Sequence, residues 1–188
     1  LEKKYPENDT SEAIEPIIYY VDPGTPEPIM TALIDGAMWW NDAFESIGFI
    51  DAFQVKILPK NVDPMDCRYN VIQWVHRSTR GWSYGSSVTD PRTGEIIKGH
   101  VSLGSLRVRQ DYLIGQSLIE NPYLPQNKEK VLEMSLARIR QLSAHEVGHT
   151  LGFAHNFSSS TKQRSSVMDY PHPLIKIKDD KINLDSAY

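Results

Sequence analysis

Residues 145–156 read HEVGHTLGFAHN. Three histidines, one glutamate and two glycines in twelve positions exceed what a helix needs in order to pack. On a helix, residues four apart lie on one face about one turn from each other, so His145 and His149 can present ring nitrogens to one point. Two imidazoles at that spacing clamp a divalent metal. Zinc prefers nitrogen ligands in tetrahedral geometry, and a hydrolytic site takes a third protein ligand while leaving the fourth position to water. Gly152 supplies the means: without a Cβ it can turn left-handed, end the helix and let His155 swing back onto the same point. Straight helical continuation would carry His155 well past it.

Glu146 follows the first histidine directly and cannot point the same way as the pair. It flanks the metal point, where a carboxylate can take a proton from water and pass it to a departing amine. Coincidence is a poor account of the pattern. At average residue usage a chance His-Glu-x-x-His in such a chain has odds of roughly one in a hundred, and the added glycine and third histidine reduce this to a few in ~10⁵. A purely structural zinc site usually has four ligands and is rich in cysteine, whereas this chain has one cysteine, Cys67.

The surrounding chain is compatible with one ordinary globular domain. It has 188 residues, 40% hydrophobic and 23% charged, with a formal net charge of -4. No basic surplus suggests nucleic acid, and no apolar run is long enough to span a membrane. The first residues lack the layout of a signal peptide; with a start at Leu1, this reads as a piece of a longer chain. One cysteine cannot form an internal disulfide.

Working outward, residues 1–15 form a polar extension, and 16–22 (PIIYYVD) read as a strand closed by a turn. Residues 27–49 place Ile29, Leu33, Ala37, Trp40 and Phe44 at helical spacing. Residues 51–59 and 69–78 alternate like strands, 80–95 are rich in glycine and turn residues, and 96–106 are a further strand. Residues 107–119 read as helix, 128–154 as the strongest helix, and the tail as irregular. DPRTGE (90–95) reads as a plain hairpin turn rather than a calcium loop. His100 reads as a strand residue, Cys67 as small and at least half-buried, and Trp39, Trp40, Trp74 and Trp82 as core or cleft-wall aromatics. His172 falls near the site without an assigned role.

HEVGHTLGFAHN resembles the extended zinc signature of the metzincin metallopeptidases, and SSVMDY (165–170) resembles their Met-turn. The resemblance implies that His145, His149 and His155 hold one Zn²⁺, that Glu146 activates water, and that Met168 forms an apolar floor without ligating. Tyr170 matches the tyrosine that astacins and serralysins place beside the metal, where its hydroxyl reaches the oxyanion; the alternative is an aromatic wall residue. The stretches WVHRSTRGWSYGSSVTDPRTGEIIKGHVSLGSLRVRQDYL and RQLSAHEVGHTLGFAHNF look most like large bacterial zinc-dependent metalloproteases, in which such a domain sits within a longer secreted or periplasmic chain. The implied setting is extracytoplasmic, with further domains of the same chain as partners. In metzincins an edge strand pairs with the extended substrate, and Gly99, His100, Val101, Ser102, Leu103 and Gly104 match that position. The specificity pocket would form around the Met-turn and the following PHPLIKI.

Two departures stand out. Matrixins and adamalysins follow the third histidine with aspartate, whereas Asn156 stands here, and no cysteine-switch segment is recognisable. The expected architecture is α+β of metzincin type: a twisted, mostly parallel sheet with an antiparallel edge strand, two long helices and an irregular C-terminal part. An upper subdomain would span 16–155 and a lower one, with the Met-turn, 156–188. The expected activity is zinc-dependent hydrolysis of peptide bonds in a protein or peptide substrate. The rival is a zinc-bearing peptide-binding module or latent domain without turnover.

Overall fold

A computed structural model describes residues 1–77, 82–170 and 172–188. In chain order the elements are β1 (Ser11–Glu12), β2 (Ile17–Val21), α1 (Ile29–Ser46), β3 (Phe49–Ile50), β4 (Phe53–Ile57), β5 (Asn70–Val75), β6 (Tyr84–Thr89), β7 (Ile96–Gly104), α2 (Leu106–Leu118), α3 (Pro125–Thr150), a 3₁₀ turn (Phe157–Lys162), β8 (Lys176–Lys178) and β9 (Lys181–Asn183). The end of the expected strand at residue 78, the first two residues of the turn-rich segment and Pro171 lie outside the described residues.

The main sheet has the order β4-β2-β5-β7-β6. Its first four strands run parallel, and β6 pairs antiparallel with β7. The α+β class and the mostly parallel sheet therefore match the expectation. α1 lies against β2 and β4, α3 lies against β6 and β7, and the two helices pack on each other. Their shared core takes Tyr19, Val21, Phe53, Ile72, Val101 and Leu103 from the strands, Leu33 and Ala37 from α1, and Ile139, Leu142 and Val147 from α3. Such a helix-on-sheet layer buries one face of each element and leaves the other to water. A smaller cluster, Val131, Met134, Leu184 and Ala187, fastens the C-terminal segment to α3. Among the described residues no helix is long and apolar enough to cross a membrane.

Several expectations need correction. The segment Tyr84–Thr89, read as turn-rich, is a strand, and it is this strand that forms the antiparallel edge. Gly99, His100, Val101, Ser102, Leu103 and Gly104 instead belong to β7, which pairs with β5 on one side and β6 on the other. Strand addition needs unpaired backbone groups, so residues 99–104 do not form the edge. The hairpin turn at 90–95 is as expected, with the Asp90 carboxylate taken up by Arg92. β1 pairs with β3, and Ser11 and Ala13 are buried.

The tail is also more regular than expected, with the 3₁₀ turn and the β8–β9 hairpin. Cys67 is exposed. It sits in a loop whose carbonyls, those of Pro64, Asp66 and Tyr69, are gathered by the buried Lys98 ammonium, so the lysine rather than the cysteine anchors that loop. Of the tryptophans, Trp74 is core and Trp40 half-buried, whereas Trp39 and Trp82 are exposed.

Candidate metal centre

α3 delivers the site. Its ligand-bearing end is buried on all sides, with every residue from Gln141 to Gly148 inside. The helix stops at Gly152, whose φ of +95° is left-handed and is accessible to glycine without the clash a Cβ would cause. The reversal lets the Phe153 N–H donate back to the Gly148 carbonyl at 3.0 Å, and it turns the Phe153 carbonyl to accept from His149 Nδ1 at 2.8 Å. His145 Nδ1 likewise donates to the Val167 carbonyl at 2.8 Å.

Those two bonds decide the tautomers. A carbonyl can only accept, so each Nδ1 carries its proton and each Nε2 presents a lone pair. His149 Nε2 lies 3.1 Å from His145 Nε2 and 3.1 Å from His155 Nε2. Lone pairs aimed at one another at that distance repel unless a cation lies between them. Tetrahedral zinc with Zn–N near 2.0–2.1 Å sets its nitrogen ligands about 3.4 Å apart. The three rings, whose ligand atoms lie within 4.8 Å of one another, thus fit such an ion. Burial holds the His145 ring below its ordinary pKa, with its histidine neighbours acting in the same direction and the Val167 bond opposing. Desolvation and His149 lower His155 as well. Both shifts favour the neutral ring, the form that ligates.

Glu146 is buried, and desolvation raises its carboxyl from the ordinary value; the neighbouring His149, the Gly85 N–H and the Arg138 guanidinium act against that rise. Gly85 belongs to β6, and a Cβ there would collide with the Glu146 carbonyl and press on His149 Cβ. The edge strand therefore runs directly past the glutamate.

The Met-turn lies against the same helix. Met168 is buried, and its sulfur and the Trp40 ring occupy the space a Cβ on Gly148 would need. Trp40 Nε1 donates to the Ala144 carbonyl at 2.8 Å and its ring stacks on Phe153 at 5.0 Å. The Asn156 N–H donates to the Met168 carbonyl at 2.9 Å. Tyr170 is exposed, with its ring 4.5 Å from that of His155 and 5.5 Å from that of His145. Sequence reading thus brought together His145, Glu146, His149, Gly152, His155, Met168 and Tyr170. His100 stands half-buried in β7, and His172 lies on the surface beside Tyr170. Gly85, Gly148 and Trp40 were missed as site residues; the second glycine of the motif was visible, but what packs on it was not.

A helix carrying two histidines one turn apart, a glycine reversal returning a third, and a buried methionine against that helix define a zincin-type metal site with a Met-turn. Residues 127–188 match a family model described as Met-zincin. That stretch, about a third of the chain, contains all three histidines, Met168 and Tyr170. No curated protein and no solved structure matches the chain.

Proposed function

We propose that this chain is a zinc-dependent endopeptidase whose ion is held by His145, His149 and His155. The observation that carries the reading is the convergence of the three Nε2 atoms, with the buried Glu146 next in the helix to the first of those histidines. When bound, zinc supplies Lewis acidity that brings water toward ionisation near neutral pH. Glu146 then acts as the general base: its carboxylate accepts the proton from water and later delivers it to the departing amine. Burial supports both halves of that role, because a carboxylate that is easier to protonate is a better shuttle. Tyr170, beside His155, donates its hydroxyl proton in a hydrogen bond to the oxyanion.

The extended substrate pairs with β6. Its outer edge is unpaired among the described strands, and Gly85 brings it next to Glu146. Backbone pairing holds a peptide without reading its sequence. A cavity of about 260 Å³ bordered by Gln163, Arg164, Asp169, Tyr170, His172 and Leu174 lies where a specificity pocket is expected, beyond Tyr170. By the resemblance alone, the domain works outside the cytoplasm as part of a longer chain, with an upper part over 16–155 and a lower part over 156–188.

Glu146→Gln tests the reading. The variant should keep its zinc and lose cleavage of an unfolded protein substrate by at least roughly 10²-fold. Cleavage at the wild-type rate would refute the general-base role, and zinc binding without cleavage by the wild type would favour a binding module.

A further inference from the structure

The three ligands are not oriented in the same way. His145 and His149 each have an Nδ1 fixed by a backbone carbonyl, the usual means of setting a ligating ring. Among the described residues, His155 Nδ1 has no such partner. Its ring is packed instead against two aromatics, Tyr170 at 4.5 Å and Phe157 at 5.1 Å, which also meet each other at 5.8 Å. Those rings stand on different segments: Phe157 opens the 3₁₀ turn, and Tyr170 follows the Met-turn.

One side chain joins the two segments. Asp169 is 6% exposed, and its carboxylate accepts from Ser159 Oγ at 3.1 Å and Ser160 Oγ at 2.5 Å, both in the 3₁₀ turn, and from the Tyr170 N–H at 2.8 Å. Ser159 is itself 4% exposed. Hydrogen bonds to an ionised, buried acceptor are the stronger kind. The Met168 carbonyl, one residue earlier, holds the Asn156 N–H directly after the ligand. The segment carrying His155 is thus fixed at its far end by consecutive residues of the Met-turn.

We propose that Asp169 is the positioning residue of the third zinc ligand. By clamping Ser159 and Ser160 to the Tyr170 backbone, it closes the Phe157 and Tyr170 rings on His155 and so replaces the carbonyl that orients each of the other two histidines. Asp169 does not touch the ion, and its effect passes through His155. The inference rests on the metal-site reading above, not on peptidase activity.

The test is a coupling measurement. Zinc affinity is measured by competition with a chromophoric chelator for the wild type, Asp169→Ala, Ser159→Ala/Ser160→Ala, His155→Ala, and His155→Ala combined with Asp169→Ala. Cobalt substitution provides a second readout, since its visible absorption reports the number and geometry of ligands. Asp169→Ala should weaken zinc by about 10- to 100-fold, with a cobalt spectrum moved toward that of His155→Ala, and should add almost nothing in the His155→Ala background. The serine pair leaves the Met-turn sequence intact and should weaken zinc in the same direction, which keeps the test open should Asp169→Ala fail to fold. Unchanged zinc affinity in folded Asp169→Ala and serine variants would overturn the proposal, as would an equal loss with and without His155. A wild type that takes up no zinc would instead overturn the metal-site reading itself.

Discussion

At Gly148 the site tolerates no side chain, because Met168 and Trp40 fill the position from two directions. Gly148→Ala should overpack the contact between α3 and the Met-turn, lowering stability by about 1–3 kcal/mol. The loss would appear as a lower Tm of the zinc-free protein, and an unchanged Tm would mean that Met168 is not seated there. Tyr170 lends itself to a cleaner substitution, since Tyr170→Phe keeps the ring that packs on His155 and removes only the hydroxyl. If that hydroxyl serves the oxyanion, kcat should fall by roughly 10²-fold while KM and zinc content stay near their wild-type values. Equal kcat would return Tyr170 to the role of an aromatic wall.

Between elements, a hydrogen bond ties the sheet to the histidine-bearing helix: the Tyr19 hydroxyl of β2 lies 2.6 Å from Thr150 Oγ1 at the end of α3, which in turn donates to the Val147 carbonyl. Burial pushes the Tyr19 phenol up to about 12 from 10.0. A folded-state pKa above the unfolded one gives stability that is complete below pH 10 and is lost as pH rises toward 12. The loss is on the order of 2–3 kcal/mol. Denaturant unfolding at fixed pH should show it, and Tyr19→Phe should remove that part of the alkaline slope; identical slopes would contradict the burial argument.

The same scale explains what the sequence did and did not reveal. α1 and α3 were legible because their apolar residues recur at helical spacing, and Gly152 because a left-handed turn returns His155. β6 was not legible. YGSSVT is mostly exposed and has no apolar face to alternate, so it is a strand through its pairing with β7 alone. Missing it assigned the edge to the more apolar β7 segment. The β8–β9 hairpin escaped for a related reason. Its strands are three residues long and exposed, and its signal is a two-residue turn at Asp179 and Asp180, both with φ > 0.

For the whole molecule, the histidines, Glu146 and Met168 were readable because ligand spacing is a local property of one helix and one turn. Trp40 meets the site from a distance of 104 residues in sequence, and Gly85 comes from a different layer of the fold; no local pattern encodes such contacts. The metal is expected to join these layers energetically, since an ion bound by the folded chain stabilises it by about 2.7 kcal/mol at a concentration a hundred times its dissociation constant. A chelator should therefore lower the Tm, and added zinc should restore it; a Tm indifferent to both would argue against a site built from the folded helix. The central claim is most directly tested by elemental analysis of metal in the purified wild type beside His149→Ala, the histidine whose Nε2 faces both others at 3.1 Å. About one zinc per chain in the wild type and almost none in the variant is the expected result. A wild type that holds no metal even after incubation with zinc, or a variant that holds as much as the wild type, would contradict it.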